Sequence, residues 1–268
     1  MVGDAKRPNE EARLATLRSL EILDTQPEPF FDRLTELTAE LLDVPIALLS
    51  LVDAERQWFK ARVGLAAPQT PREMGFCAWA IHETEPLIVP DATKDPRFAQ
   101  SPLVLHEPKI RFYAGAPLLT EGGTVGTLCV IDRQPRTLTE RERGVLQHLA
   151  GLATEALEMR QKAVAAKRQA RLLAAAESLA SIGHWRLDVE SSTLTWSEQI
   201  YRVRGLDPAA SSPSLTQAIE AYHPDDRERV AEALERAINE GEGFELTARL
   251  LRSDGALRWV RTIAVPEI

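Results

Sequence analysis

Apolar residues recur at helical spacing in two segments near the start of the chain. In EEARLATLRSLEIL they fall at Leu14, Leu17, Leu20 and Ile22 or Leu23, and in PFFDRLTELTAELLDV at Phe30, Leu34, Leu37, Leu41 and Leu42. A Pro-rich stretch, DTQPEP, separates the two segments. Because apolar residues three and four apart share one face of a helix, this pattern predicts two amphipathic helices joined by a turn.

Two pairs of β-rich segments follow. IALLSLVD and RQWFKARVG are separated by a short polar turn, and IRFYAGAPLL and VGTLCVID flank the turn TEGGT. Each pair predicts a β-hairpin. Between the hairpins, residues 71–110 are predicted to form short helix and loop, with the irregular, surface-connected stretch VPDATKDPRF. A sheet with helices at its start and end predicts an α+β domain over about the first 150 residues.

A long helix is predicted from Leu138. Thr139 is suited to the N-cap and Glu142 follows three residues later, which is the spacing of a capping box. A heptad seam then runs through Leu149, Leu152, Ala156, Met159, Ala163, Ala166, Ala170 and Leu173. Alanine fills half of these positions and buries little area, so we expect a weak homodimer interface along residues 139–178.

The remaining residues predict a second domain. HWRLDV and STLTW are typical of strands, and WSEQIYRVRGL and PDDRERVAEALERAI of helices. GFELTARLLRSDGALRWVRTIAV then predicts two long strands that turn at Asp254 and Gly255. No later strand closes the sheet, so we expect the sequence to stop inside or at the edge of this domain. The predicted division is 10–138, a connecting helix at 139–178, and 179–268.

Composition narrows the class of protein. The chain has 268 residues, of which 44% are hydrophobic and 27% charged, which is ordinary for two globular domains. Its longest apolar stretches, such as VPIALLSLV, are far shorter than the roughly 20 residues that cross a bilayer, and the start MVGDAKRPNEEAR is not a signal peptide. A net charge of −8 disfavours nucleic acid and anionic membranes as partners. The two cysteines, Cys77 and Cys129, fit free thiols in a reducing compartment, so we expect a cytoplasmic protein.

Six blocks in order carry a resemblance to a known family. ILDTQPEPFFDRLTELTAELLDVPIALLSLVD, RQWFKARVGL, GFCAWAI, VPDATKDPRF, IRFYAGAPL and GTLCVID resemble a GAF domain of bacterial signalling proteins, over about residues 10–160. GHWRLDV, WSEQIYRVRGLDP, HPDDRERV and RLLRSDGALRWV resemble a PAS domain with its C-terminal motif, over about residues 172–268, without the family's final strand. The resemblance implies two sensory domains, each an antiparallel sheet flanked by helices.

Such pairs usually precede an output domain, most often that of a sensor histidine kinase and alternatively that of a diguanylate cyclase. The 268 residues contain no phosphoacceptor-histidine helix with an ATP lid, no GGDEF-like loop and no phosphate-binding P-loop. The resemblance therefore implies a sensory input region, and no catalytic residue is assigned.

The stretch MGFCAWAIH holds the first cysteine. On a helix, Phe76, Cys77, Ala80 and Ile81 share one arc. His82 lies roughly 140° from Cys77, which argues against a Cys–His nucleophilic pair. Cys77 is therefore expected to be a small buried hydrophobe with a raised thiol pKa. A pocket for an unidentified small ligand could be walled by Trp58, Phe76, Cys77, Trp79, Phe98, Phe112 and Tyr113.

Three more specific functions remain alternatives for this domain. Some GAF domains attach a bilin to a cysteine in this helix, although that cysteine is commonly followed by His and here by Ala78. A GAF-like enzyme reduces free methionine sulfoxide with clustered cysteines, which would require Cys77 and Cys129 to approach each other. A third alternative is a dimerisation scaffold that binds no ligand.

The PAS-like half leaves fewer chemistries open. Flavin photochemistry needs a cysteine, and none follows Cys129. Haem ligation through His184 or His223 and a metal site at His223, Asp225 and Asp226 are conceivable. However, His223 precedes Pro224 at an expected helix start. No cofactor is identified and no metal site is assigned.

Overall fold

The computed structural model describes residues 10–209 and 214–267, so residues 1–9 of the polar start and the terminal Ile268 lie outside the described residues. The chain forms two compact units, one up to Ala166 and one from Lys167 onward. One helix, Glu140–Ala180, extends from the first unit into the second. Among the described residues, none of the helices combines the length and apolarity that a bilayer crossing requires.

The first unit is built on a six-stranded antiparallel sheet. The elements in chain order are α1 (Glu10–Ser19), α2 (Pro29–Leu41), β1 (Ile46–Val52), β2 (Arg56–Val63), β3 (Gln69–Pro71), α3 (Cys77–Ala80), β4 (Leu87–Val89), α4 (Pro102–Leu105), β5 (Phe112–Thr120), β6 (Gly123–Asp132) and α5 (Glu140–Ala180). The strand order in the sheet is β3–β2–β1–β6–β5–β4. A 3₁₀ turn, Arg72–Met74, lies between β3 and α3. Both predicted hairpins and the α+β class are confirmed.

Both faces of this sheet are covered. All seven residues of β1 are buried, although successive side chains of a strand point to opposite faces. Leu49 and Leu51 join a cluster that includes buried side chains of α1, α2 and α5. Ile46 and Leu48 join a second cluster, which includes α3 and the loops around it. We call these the helix face and the loop face of the sheet.

The buried side of α2 differs from the prediction. Phe30, Leu37 and Leu41 are 46%, 43% and 54% exposed. The buried residues are Phe31, Leu34, Thr35, Thr38 and Ala39. The two threonines can be buried because each hydroxyl donates to the carbonyl four residues earlier, at 2.8 and 2.7 Å. The predicted apolar face is therefore wrong for three of its five residues.

The region 71–110 also contains one strand that the sequence did not predict, β4, whose three residues pair with β5.

The predicted capping box of α5 is confirmed, because the Thr139 N–H donates to Glu142 Oε2 at 2.7 Å and the Glu142 N–H to Thr139 Oγ1 at 3.2 Å. The first half of α5 packs on the helix face of the sheet through Leu146, Leu149, Ala150, Ala153 and Leu157.

The elements of the second unit are β7 (Trp185–Asp188), β8 (Thr193–Trp196), α6 (Glu198–Arg204), α7 (Leu215–Glu220), α8 (Pro224–Glu240), β9 (Phe244–Leu251) and β10 (Leu257–Ala264). In its described residues the strands form two separate two-stranded antiparallel sheets, β7 with β8 and β9 with β10. The predicted β9–β10 hairpin is confirmed and turns through Gly255, which has a φ of +80°. A small core unites Tyr222, Val230, Ala248 and Leu250.

Candidate functional site

A cavity of about 420 Å³ opens on the loop face of the sheet in the first unit. Strands β1, β2, β5 and β6 contribute one wall, and the segments around Gly64, Gly75 and Pro108 contribute the rest. Most of the lining is apolar and includes Ile46, Leu48, Phe59, Phe76, Ile110 and Ile131. Polar groups are few, as in pockets that bind small organic molecules. They include Gln57, Thr70, Glu107 and Arg133.

Gln57 brings a buried amide to this wall. It is 2% exposed, and its Nε2 donates to Thr70 Oγ1 at 3.2 Å, while its Oε1 has no hydrogen-bond partner among the described residues. Gly75 allows this placement, since a Cβ there would lie 1.4 Å from Gln57 Nε2. A buried acceptor without a partner is unfavourable by about 1–3 kcal/mol. An N–H or O–H donor that reached this oxygen would therefore be bound favourably.

The two cysteines contact each other beside this cavity. Cys77 lines it, and Cys77 Sγ lies 3.8 Å from Cys129 Sγ, although the two residues are 52 positions apart. Cys129 is fully buried and is not part of the cavity wall. The Tyr113 hydroxyl donates to Cys77 Sγ at 3.5 Å. Tyr113 can lie there because Gly115 leaves room; a Cβ at that position would be 2.1 Å from Tyr113 Oη.

Contact between the thiols affects their pKa values in opposite directions. Hydrogen bonding to Cys129 lowers the pKa of Cys77, burial opposes this, and the hydroxyls of Thr127, Tyr113 and Ser50 lower it further. The same thiol contact and burial raise the pKa of Cys129 well above its ordinary value. Cys77 is therefore the thiol that ionises first. The expectation of a raised pKa at Cys77 considered burial alone and is wrong in direction.

The predicted helical arc around Cys77 is confirmed, because Phe76, Cys77, Ala80 and Ile81 are all buried, whereas His82 is exposed. Cys77 and His82 therefore diverge, as the prediction against a Cys–His pair requires.

Of the seven residues predicted to wall a pocket, Phe76, Cys77 and Tyr113 line the cavity. Phe98 lies behind Phe76, with ring centroids 4.1 Å apart, and Trp79 packs edge-on against Phe98 and is 37% exposed. Trp58 and Phe112 belong to the core on the helix face. The predicted set is thus divided between the two faces of the sheet.

Sequence reasoning missed Gln57, the polar residue of the wall with an unpaired atom. A signal for it was present in RQWFKARVG, where period-2 alternation puts Gln57 and Phe59 on one face and Trp58 and Lys60 on the other. Gln57 is neither aromatic nor a cysteine, so it falls outside the predicted pocket set.

In the second unit the candidate ligand residues have structural partners. His223 is the N-cap of α8, where its side chain accepts from the Asp225 N–H. Asp226 accepts from Arg249 Nε at 2.9 Å, and this contact lowers the pKa of that carboxyl. His184 Nδ1 contacts Glu177. Across residues 10–209 and 214–267, no group of three or more His, Cys, Asp or Glu side chains is arranged to hold a metal ion.

Two protein-family models match the sequence, the GAF domain at residues 26–157 and the PAS fold at residues 193–267. The chain is a GAF domain followed by a PAS domain. GAF and PAS domains of this type are sensory modules, so the chain is a sensory region of the kind found in signal-transduction proteins. The cavity and the thiol pair lie in the GAF domain, between Ile46 and Arg133.

The chain is 47% identical over 146 residues to the cyclic di-GMP phosphodiesterase PA2567 of Pseudomonas aeruginosa, a match that covers 54% of this chain and 25% of that protein. It is 34% identical over 85 residues to the sensor protein FixL of Bradyrhizobium diazoefficiens, covering 31% of this chain and 16% of FixL. The chain thus spans a quarter or less of the length of these curated relatives. The solved GAF domain of an Acinetobacter phosphoenolpyruvate-protein phosphotransferase is 19% identical, with a TM-score of 0.43, over 56% of this chain and 96% of that domain.

Proposed function

We propose that this chain is the cytoplasmic input region of a sensor histidine kinase, in which the GAF cavity binds a small ligand and helix α5 transmits the response. The observation that carries the proposal is Gln57 Oε1, a buried acceptor without a partner among the described residues, in the wall of a 420 Å³ cavity. The lining favours a compact, largely apolar ligand with at least one N–H or O–H donor.

A route from the cavity to α5 supports this role. Gln57 and Phe59 of β2 line the cavity, and the next residue of the strand, Lys60, points to the opposite face. Lys60 Nζ is buried and bonds to Glu28 Oε1 at 2.7 Å. The same carboxylate oxygen accepts from Arg160 Nη1 of α5 at 2.8 Å. A ligand that shifts β2 therefore acts on a charged group that also holds α5.

The proposal includes a homodimer along residues 139–178. Leu149 is 7% exposed and packs in the GAF core together with Ala156, so these two seam positions serve the fold. Leu152 and Met159 are 49% and 71% exposed. Together with Ala163, Ala166, Ala170 and Leu173, they leave an apolar strip for a second copy of the helix.

The dimer is tested by Ala163→Glu, because a charge on the strip should shift the protein to monomers in sedimentation velocity. Lys162→Glu, exposed but off the strip, is the matched control and should remain dimeric. An unchanged sedimentation coefficient for Ala163→Glu would refute the helix as the interface.

Several observations bear on the identity of the output domain. The resemblance to GAF and PAS pairs that precede sensor histidine kinases supports a kinase, and the relative FixL is a sensor protein. The Pseudomonas aeruginosa relative, at higher identity, is a cyclic di-GMP phosphodiesterase, which supports an output domain of that activity. The input region of a diguanylate cyclase is a further alternative. Within the chain itself, the Cys77–Cys129 contact favours the thiol-based reductase as a second candidate. A ligand-free scaffold is the remaining alternative.

The ligand proposal is tested by thermal shift across a panel of small metabolites. Wild-type protein should be stabilised by compounds of one chemical class, and Gln57→Leu should abolish that stabilisation. Gln134→Leu, at an exposed position outside the cavity, is the matched control and should respond like the wild type. Equal responses in both variants would contradict the cavity as the binding site, and no response in any protein would favour the scaffold.

A further inference from the structure

We infer that Cys77 and Cys129 form a peroxide-reactive thiol pair, in which Cys77 is oxidised from the cavity and Cys129 resolves it as an intramolecular disulfide. The two sulfur atoms lie 3.8 Å apart inside the GAF domain. The inference rests on the proposed function only in sharing its cavity as the route of access.

Access assigns different roles to the two cysteines. Cys77 lines the cavity, whereas Cys129 lies behind it in the central strand β6 and is fully buried. A small hydroperoxide that enters the cavity therefore meets Cys77 first. Cys129 is positioned to attack only a Cys77 that has already reacted.

The surroundings of the pair suit a transient thiolate. The Tyr113 hydroxyl donates to Cys77 Sγ. Ser50 and Thr127 occupy paired positions on β1 and β6, on the same face as Cys129, and their buried hydroxyls have no hydrogen-bond partner in the described part of the chain. Hydroxyl groups rotate freely, so both can turn toward a charged sulfur. The contact between the two thiols lowers the pKa of Cys77 and raises that of Cys129.

The reaction balances with a hydroperoxide as the only oxidant. The Cys77 sulfur attacks one peroxide oxygen, the S–O bond forms as the O–O bond breaks, and the leaving oxygen takes the Cys77 proton to become an alcohol or water. The Cys129 sulfur then attacks the Cys77 sulfur. The S–S bond forms, the S–O bond breaks, and hydroxide leaves with the Cys129 proton as water. Two thiols are oxidised by two electrons and one peroxide is reduced.

Bond formation requires the sulfurs to close from 3.8 Å to about 2.05 Å. Cys77 opens the four-residue helix α3, while Cys129 sits within the sheet between β1 and β5. We therefore expect α3 to move toward the sheet.

The test treats the reduced protein with stoichiometric hydrogen peroxide and then alkylates all remaining thiols after denaturation. Intact mass should show a protein lighter by two hydrogen atoms that carries no alkyl groups, and peptide mapping should join Cys77 to Cys129. Two alkylated thiols, or a crosslink between chains, would overturn the inference. Because this readout uses the wild-type chain, it does not depend on any variant folding.

Paired variants test the assigned order. In Cys129→Ser, a 1,3-dione that traps sulfenic acid should label Cys77, while in Cys77→Ser the label at Cys129 should form at least about tenfold more slowly. Equal labelling would overturn the order. Ligand stabilisation without a disulfide would refute this inference alone, and a disulfide without any ligand response would refute the proposed function alone.

Discussion

The GAF and PAS units bury their strands to very different degrees. Every residue of β1 in the GAF unit is buried, whereas Trp259 and Ile263 on β10 of the PAS unit are 68% and 56% exposed. The GAF sheet is covered on both faces by two large clusters, and the PAS unit has one small cluster in its described residues. Because both faces of its sheet are covered, the GAF unit can enclose a cavity with a mostly apolar lining.

Around its small core, the PAS unit is held by several arginine contacts. Arg249 bonds to Asp226, Arg252 donates to the carbonyl of Val203 at 2.7 Å, and Arg227 donates to the carbonyl of Tyr222 at 2.9 Å. The two bonds to backbone carbonyls contribute about 0.5–1.5 kcal/mol each, or somewhat more because the donor is charged. A buried leucine contributes more. Because it buries less apolar surface, we expect the PAS unit to open more easily than the GAF unit.

The largest expected effect comes from the GAF core. Leu49→Ala removes a side chain that is fully buried between the sheet and the helices, and should lower the free energy of unfolding of the GAF unit by about 2–5 kcal/mol. Hydrogen exchange resolved by peptide can follow each unit separately. Leu119→Ala, 48% exposed, is the control and should change little. If both substitutions lowered the free energy of unfolding equally, burial would not explain the stability of the GAF unit.

A smaller effect is expected at the cavity. Gly75→Ala would place a Cβ against the Gln57 amide and should cost about 1–3 kcal/mol while moving Gln57 out of position. Ligand stabilisation in the thermal-shift assay should fall with it. If Gly75→Ala kept full ligand stabilisation, Gln57 would not be the group that recognises the ligand.

Acid should act on the PAS unit through Asp226. Arg249 lowers the pKa of this carboxyl below the ordinary 3.8, so its contribution is present above pH 3.8 and is lost as the pH falls toward the lower folded value. The hydrogen-exchange protection factors of the PAS unit, which are corrected for the intrinsic pH dependence of exchange, should therefore fall below pH 3.8, and Asp226→Asn should remove that acid dependence. Glu228→Gln, exposed on the same helix, should keep it. An unaltered acid dependence in Asp226→Asn would contradict the role of the ion pair.

The smallest effect is stabilising. Gly151 lies within α5, and a Cβ there would meet nothing within 4 Å. Gly151→Ala should therefore raise the free energy of unfolding by about 0.5–1 kcal/mol through helix propensity alone, in a urea titration. A loss of stability would mean that this surface of α5 is covered in solution, which would support the proposed dimer.

Local sequence patterns predicted the helices and strands better than they predicted which side chains are buried and which strands pair. The hairpins and the Thr139 capping box follow from residues a few positions apart. The buried face of α2 could not be predicted from apolar residues, because Thr35 and Thr38 satisfy their hydroxyls within the helix. Strand β4 has three residues, and its pairing partner lies more than twenty positions later.

The site depended on contacts distant in sequence. Nothing near Cys77 indicates that its sulfur meets Cys129, since the sheet and α3 must both be in place. Gln57, by contrast, could have been assigned to the loop face by alternation from Phe59. The predicted pocket aromatics split between faces because aromatic character carries no information on direction.

Native mass spectrometry of the purified protein, followed by a denaturing run, tests the central claim that the GAF cavity holds a small ligand. The account predicts extra mass that is lost on denaturation, present in Gln134→Leu and absent in Gln57→Leu. Extra mass retained equally by Gln57→Leu would contradict it, as would a wild-type protein that gains no mass after incubation with a small-molecule extract of its host cells.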